Sequence, residues 1–112
     1  MNHTIAFQKA CSAYYLAADL IEQFPKSQRY ALGARTETNV LELVEWIAMA
    51  EALPDPLKGR VYSEATAKAD VCGVLIRLCL ERKLIGETNY FVLVGLFQET
   101  AKCCVGLNKS LR

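Results

Sequence analysis

The stretch from Val61 to Leu84 constrains the fold most, because it reads as one helix with two apolar faces. At ~100° per residue, one face collects small and aliphatic side chains, namely Val61, Ala65, Cys72, Leu75, Ile76 and Cys79. The opposite face carries a second apolar stripe, the outer stripe, made of Ala67, Val71, Val74 and Leu78. A surface helix of a monomer needs only one apolar stripe. In so short a chain, we therefore expect the outer stripe to be an oligomer interface.

Length and composition are those of one folded domain without a strong overall charge. The chain has 112 residues, of which 53% are hydrophobic and 22% are charged. These values are typical of a globular domain and not of a disordered chain. The formal net charge is +1, which gives no overall attraction to nucleic acid or to an anionic membrane. Binding to either would depend on local clusters of charge.

Proline and glycine residues separate four stretches with helical periodicity. Pro25 follows the first, Pro54 and Pro56 follow the second, and Gly86 is the expected C-cap of the third. Thr4 is the expected N-cap of the first. The predicted helices are Ile5–Gln23, Arg29–Leu53, Leu57–Leu84 and Asn89–Ser110. Because the three connections are short, neighbouring helices must be antiparallel. The sequence predicts an all-α, up-down-up-down four-helix bundle, a single domain over residues 1–112.

The apolar stripes of the other three helices predict what they bury in the core. In helix one these residues are Phe7, Cys11, Tyr14, Ala18 and Ile21. In helix two they are Leu32, Val40, Leu43, Val44, Ile47 and Ala50, and in helix four Tyr90, Val94, Phe97, Ala101 and Cys104. Trp46 flanks the stripe of helix two, at the edge of the core or in an interface, and tryptophan is enriched at interfaces.

The residues that carry enzyme or metal chemistry do not form a recognisable pattern. The five cysteines include no Cys-x-x-Cys pair, and His3 is the one histidine, so zinc-type spacing is absent. No glycine-rich phosphate loop and no nucleophile–base arrangement is found. The sequence predicts a non-enzymatic protein without metal or cofactor, with reduced core thiols and a cytoplasmic location. The uncharged stretch Thr88–Gln98 is shorter than the ~20 residues of a membrane span, so no membrane partner is expected.

Basic residues cluster weakly at the predicted turns. In an up-down bundle the first and third turns lie at one end, which would bring together Lys26, Arg29, Arg82 and Lys83. We predict that these four bind nucleic acid through phosphates; the alternative is that they only solvate the helix ends. Lys58 and Arg60 would lie at the other end. Arg35 and Arg77 flank packed stripes and are as consistent with ion pairs, to Glu42 and Glu81, as with phosphate contacts.

The stretch Phe24-Pro25-Lys26-Ser27-Gln28-Arg29-Tyr30-Ala31-Leu32-Gly33 resembles the helix 1–2 signature of a bacterial four-helix-bundle superfamily. This superfamily contains proteins encoded in intervening sequences of 23S ribosomal RNA genes and the accessory variability determinants of diversity-generating retroelements. The resemblance continues through Ala50, Lys58, Ile76-Arg77-Leu78, Ile85 and Tyr90. Near the C-terminus the chain is similar to the retroelement branch at Glu99, Lys102, Gly106, Lys109 and Ser110, whereas Val105 and Leu107 replace a glycine and a tryptophan. The Ser-Ile-Pro run of the intervening-sequence branch is missing, and Thr36–Val44 stands there instead.

The resemblance implies a ring-like homo-oligomer, a pentamer, of four-helix bundles that binds a reverse transcriptase and RNA or DNA without catalysis of its own. Members of the retroelement branch tend to be strongly basic, whereas this chain carries +1. Two other functions stay open. One is a structural or interaction bundle of the intervening-sequence type without a reverse transcriptase partner. The other is a small-ligand-binding bundle.

Overall fold

Breaks near Pro25, Pro54 and Gly86 divide the chain into four helices in the computed structural model, which describes residues 3–111. Helix α1 is Ile5–Glu22, helix α2 covers residues 26–52, helix α3 is Asp55–Glu81 and helix α4 is Glu87–Ser110. Helix α2 is composite, because an α-helical turn and a π-helical segment precede its main α-helix. These parts are Lys26–Gln28, Arg29–Gly33 and Ala34–Ala52.

The starts of the helices follow from capping and proline chemistry. The Thr4 side chain caps α1 by accepting a hydrogen bond from the Phe7 backbone N at 3.1 Å, as expected. Helix α3 begins at Asp55 and not at Leu57, since Pro56 lies in its first turn. Proline is tolerated there because the first amides of a helix have no partner within it.

The end of α3 differs from the prediction, which placed the last residue at Leu84 and the C-cap at Gly86. Helix α3 stops at Glu81, and Lys83 takes a positive φ of 61°. The Leu84 amide then donates to Cys79 O, and the Lys83 amide donates to Leu80 O, both at 2.9 Å. This is the hydrogen-bond pattern of a Schellman cap, here with lysine where glycine is usual. Gly86 instead is the extended N-cap residue of α4.

The four helices are antiparallel to their neighbours, and α1 packs on both α2 and α4. The start of α2 lies beside the end of α3, where Thr36 Oγ1 is 3.8 Å from Cys79 Sγ. The same end of the bundle holds the connections from α1 to α2 and from α3 to α4, and the opposite end holds the connection from α2 to α3. The predicted up-down-up-down bundle is therefore confirmed, with an overall extent of 45 × 22 × 21 Å.

The core contains most of the predicted stripes of α2 and α3 but a different line of α1; Leu32, Val44, Val61 and Leu75 of those stripes are half-buried. Val40, Leu43, Ile47, Cys72 and Ile76 are buried as predicted. In α1 only Ile21 of the predicted stripe is buried; the buried line is otherwise Ala6, Ala10, Ala13 and Ala17. The larger predicted residues, including Phe7 and Tyr14, are half-buried against the edge of the core. Small side chains at the contact allow helix axes to approach more closely, and the larger side chains then fill the seams.

In α4, Phe97 and Cys104 are buried as predicted, whereas Tyr90, Val94 and Ala101 are half-buried at the core edge. The core also takes in buried residues that the stripes did not include, namely Phe24, Thr36, Tyr62, Ala69, Leu93 and Thr100. Trp46 is half-buried and packs against the core.

Gly33 fixes the position of the first turn against α1. A Cβ atom at Gly33 would lie 3.0 Å from Gln28 O, 3.0 Å from Ile21 Cγ2 and 3.1 Å from Phe24 Cδ2. These distances are shorter than ordinary carbon contacts of about 3.5–4.0 Å. Gly33 therefore allows the π-helical segment to lie directly on Ile21 and Phe24, which close this end of the core.

Glu51 joins the start of α1 to the end of α2 at the opposite end of the bundle. Its carboxylate accepts hydrogen bonds from Thr4 N at 2.8 Å, Thr4 Oγ1 at 2.7 Å and His3 Nδ1 at 2.7 Å. Lys58 Nζ donates to the last carbonyls of α2, Ala50 O and Glu51 O, both at 3.0 Å. Burial alone would raise the pKa of Glu51, but the hydrogen bonds from His3 and Thr4 lower it below its usual value. Folding therefore favours the ionised carboxylate.

We expect Gly33→Ala to lower the free energy of unfolding by about 1–3 kcal/mol, because the added methyl group overpacks a site with backbone on one side. Gly73→Ala is the matched control, since a Cβ at Gly73 meets nothing within 4 Å. In a helix interior, that change should stabilise by about 0.5–1 kcal/mol. Urea unfolding followed by circular dichroism measures both. Equal effects of the two substitutions would contradict the packing role of Gly33.

We expect Glu51→Gln to cost about 1–2 kcal/mol at neutral pH, because an amide replaces a half-buried carboxylate that accepts three hydrogen bonds. The folded-state pKa is lowered, so this stability is present above the unfolded pKa and is lost as pH falls through the folded one. The difference between wild type and Glu51→Gln should therefore shrink at acidic pH. Chemical denaturation from neutral to acidic pH measures it, with exposed Glu45→Gln as control. A pH-independent difference would argue against the ionised carboxylate.

Candidate functional site

The four basic residues predicted to bind nucleic acid lie at one end of the bundle, the basic end. Lys26 and Arg29 lie in the first turns of α2, and Arg82 and Lys83 directly follow the last residue of α3. All four side chains are exposed. Within residues 3–111, none of them takes part in an ion pair. The topology therefore places these cations at the same end, where they can interact with an anionic partner.

Two local features hold the cations of the basic end in place. The Arg29 Nη2 group donates to the carbonyl of Phe24 at 3.5 Å, which turns the side chain back over the break between α1 and α2. Lys83 occupies the left-handed position of the Schellman cap. A lysine there costs about 1 kcal/mol relative to glycine, so its side chain leaves the helix at an angle set by the cap.

The outer stripe of α3 is exposed along its whole length. Val74 is 60% exposed, Val71 is 45% and Leu78 is 41%, and Ala67 is exposed as well. The inward face of the same helix is buried at Ala65, Cys72, Ile76 and Cys79. The two-faced character read from the sequence is thus present in the fold.

A shallow apolar groove borders the outer stripe on the side of α4. Its volume is about 240 Å³, and Val74, Gly73 and Arg77 of α3 face Tyr90 and Phe97 of α4 across it. The Arg77 Nε atom lies 3.2 Å from Glu81 Oε2, so Arg77 forms the ion pair, one helical turn apart, that the sequence left open as one of two alternatives. The outer stripe therefore continues into an adjacent depression.

A larger polar groove between α2 and α3, the α2–α3 groove, is a feature that sequence analysis missed. It has a volume of about 580 Å³, and its lining comprises Tyr30, Ala31, Ala34, Arg35, Thr38, Asn39, Glu42 and Lys68. These residues come from the solvent-facing flanks of two helices. The sequence of α2 does not show that its polar residues contact Lys68 of α3. Only the pairing of α2 with α3 brings them together.

The charges in the α2–α3 groove do not form the Arg35–Glu42 ion pair that the sequence left open as one alternative. Lys68 Nζ donates to Asn39 Oδ1 at 3.0 Å and to Glu42 Oε1 at 3.3 Å. Glu42 therefore pairs with Lys68 of α3 and not with Arg35 of its own helix. In the described part of the chain, the Arg35 guanidinium makes neither an ion pair nor a side-chain hydrogen bond. Arg35 is thus a cation in the groove with free donors.

The cysteines behave as core residues. Cys72, Cys79 and Cys104 are buried, Cys11 and Cys103 are half-buried, and all five are free thiols. Burial raises the pKa of Cys72 and of Cys104 to about 12 and also raises the pKa of Cys79. Since the thiolate is the reactive and metal-binding form, these buried groups are inert at neutral pH. Residues 3–111 contain no cluster of three or more His, Cys, Asp or Glu side chains that could hold a metal ion.

Helix α4 is long and apolar enough to cross a membrane by length and composition alone, and 22% of its most apolar window is buried in the bundle. Core helices of soluble proteins meet the same criterion. Here α4 contributes Leu93, Phe97 and Cys104 to the core. The sequence prediction missed this property of α4, because it considered only the uncharged stretch Thr88–Gln98. The apolar part of α4 is longer when a few charged residues are included.

In comparisons with known proteins, neither a family model nor a curated protein matches this chain.

Proposed function

We propose that this chain is a non-enzymatic accessory protein of a diversity-generating retroelement. It assembles as a ring-like homo-oligomer, a pentamer, that binds the reverse transcriptase and RNA or DNA. It acts in the cytoplasm without metal or cofactor. The observation that carries the proposal is the exposed outer stripe on α3, a second apolar face on a bundle whose core is already filled by the first. The resemblance of residues 24–33 to the four-helix-bundle superfamily, together with the similarity of the C-terminal residues to the accessory variability determinants, supplies the identity of the assembly.

The role of each surface follows from its chemistry. The outer stripe buries apolar area between copies, which is the main favourable term in association. The basic end presents Lys26, Arg29, Arg82 and Lys83 from every copy, so that a ring multiplies a weak contact with phosphate. Mutagenic copying needs a reverse transcriptase held on its template, and an accessory ring could hold both without catalysing a reaction.

The near-neutral charge favours a second candidate function. With a net charge of +1, the chain departs from the strongly basic retroelement branch. A structural or interaction bundle of the intervening-sequence type would need no such charge and no reverse transcriptase partner. The neighbouring genes separate the two functions. A reverse transcriptase gene with a repeated variable region favours the retroelement, whereas a position within a 23S ribosomal RNA gene favours the alternative.

The oligomer is tested by light scattering of the purified chain. We expect a mass about fivefold that of the 12.5 kDa chain, and we expect Val74→Glu and Leu78→Glu to dissociate it, because a charge on the interface would be desolvated without a partner. Leu41→Glu is the matched control, since Leu41 on α2 is 42% exposed and Leu78 is 41% exposed. Helical circular dichroism should be unchanged in all three. A monomeric wild type at micromolar concentration would refute the assembly.

Nucleic acid binding by the basic end is tested by fluorescence anisotropy with labelled RNA and DNA at two salt concentrations. We expect binding to weaken steeply with salt and to be lost in Arg29→Glu/Arg82→Glu. Arg60→Glu/Lys109→Glu, at the opposite end, is the control. Each substitution removes a positive charge and adds a negative one, so both doubles change the net charge from +1 to −3. If both doubles weaken binding equally, the basic end has no specific role.

A further inference from the structure

The α2–α3 groove contains cations and an aromatic ring that the proposed function does not use. From this geometry we propose that the groove binds a single strand of nucleic acid. Tyr30 stacks on an unpaired base, and Arg35, Lys68 and Arg82 bind the phosphates that follow. The inference rests on the nucleic-acid part of the proposed function. It adds the strandedness of the ligand and a path along the side of the bundle, beyond its basic end.

Tyr30 has the position of a stacking platform. It belongs to the π-helical segment Arg29–Gly33, and its side chain is 70% exposed. π-Helical turns are rare and frequently occur at functional sites. Tyr30 lines the α2–α3 groove beside Arg35 and also a second groove, where Glu22 and Glu37 accompany Arg29. On the side of Arg35, an exposed ring beside a guanidinium group suits an unpaired base followed by a phosphate, because every base has a flat face for stacking.

Arg35 and Lys68 provide the groove with hydrogen-bond donors that have no partner in the described part of the chain. The Arg35 guanidinium has five N–H donors, and none of them has a partner among residues 3–111. Lys68 has three N–H donors, and its bonds to Asn39 and Glu42 occupy two. The third remains for a ligand. Asn39 and Glu42 also hold the ammonium group in place, so that less side-chain entropy is lost when an anion binds.

Arg82 extends this line of cations towards the basic end. It follows Lys68 by 14 residues on α3, which is ~21 Å along the axis and within ~40° of the same side of the helix. Arg82 is the C-cap residue of α3 and lies beyond the residues that line the groove, towards the basic end. In the proposed path, which we call the track, Lys68 and Arg35 of the groove are followed by Arg82 and then by Lys26 and Arg29.

The charge density of this track favours a single strand over a duplex. A duplex carries one negative charge per ~1.7 Å of axis, or ~12 charges over the ~21 Å between Lys68 and Arg82. The three cations of the track can neutralise only a few of these charges, and the carboxylate of Glu42, which also lines the groove, opposes them. A single strand presents fewer phosphates, and its bases are free to stack on Tyr30. Paired bases inside a duplex cannot reach that ring.

The test compares a labelled single-stranded RNA, the same strand as DNA, and the corresponding duplex by fluorescence anisotropy. We expect the chain to bind both single strands more tightly than the duplex. Tyr30→Ala should weaken single-strand binding about 5- to 100-fold, and Tyr30→Phe should bind as wild type. Arg35→Gln should lower the salt slope by about 0.7, the value for one phosphate on a single strand.

Matched controls separate this site from general effects. Tyr15→Ala removes a tyrosine that is 68% exposed on α1, and Arg77→Gln removes an arginine on the other flank of α3; both should bind as wild type. Equal binding of duplex and single strand, or wild-type affinity of Tyr30→Ala, overturns the inference. If Arg29→Glu/Arg82→Glu still abolishes binding in that case, the proposed function stands. A wild type that binds no nucleic acid overturns both.

Discussion

The arrangement of the bundle depends on the close approach of α1 to its neighbours. Four alanines line the buried face of α1, and Gly33 accepts Ile21 and Phe24 at distances that leave no space for a Cβ. Interaxial distances depend on the side chains at the contact, so these small residues let α1 lie against α2 and α4. With α1 in this position, Phe24 closes the core at the basic end, and the chain leaves α1 where Lys26 and Arg29 reach solvent.

At the opposite end, a polar contact takes the place of close packing. Glu51 receives the donors at the start of α1, and Lys58 caps the carbonyls at the end of α2. One carboxylate and one ammonium thereby satisfy groups from two helix ends, which would otherwise be left without partners. The second basic cluster of the sequence, Lys58 with Arg60, is thus partly structural. At the basic end, by comparison, Lys26, Arg29, Arg82 and Lys83 make no ion pair within residues 3–111 and can bind an anionic partner.

The surfaces left over by this packing are of two kinds. One is apolar, the outer stripe of α3, and it suits another copy of the chain. The other is polar, the basic end with the α2–α3 groove, and it suits an anion. They meet along α3, because Lys68 and Arg82 flank the outer stripe. In the proposed ring, the grooves of neighbouring copies would form a regular array, which would tie self-association to the binding of a long ligand.

Much of this protein could be predicted from the sequence, because helical periodicity and proline positions are local properties. They determined four helices, their antiparallel order, the exposed outer stripe and the grouping of Lys26, Arg29, Arg82 and Lys83. Only the tertiary structure decided which line of α1 is buried. Alanine side chains bury little apolar area themselves, and they contribute mainly by allowing a neighbouring helix to pack closely, which a single helix does not reveal. The tertiary structure also decided that Glu42 pairs with Lys68, which frees Arg35, and that Tyr30 lies at the edge of a groove. Such contacts depend on which flanks of two helices meet, and no single stretch of sequence contains that information.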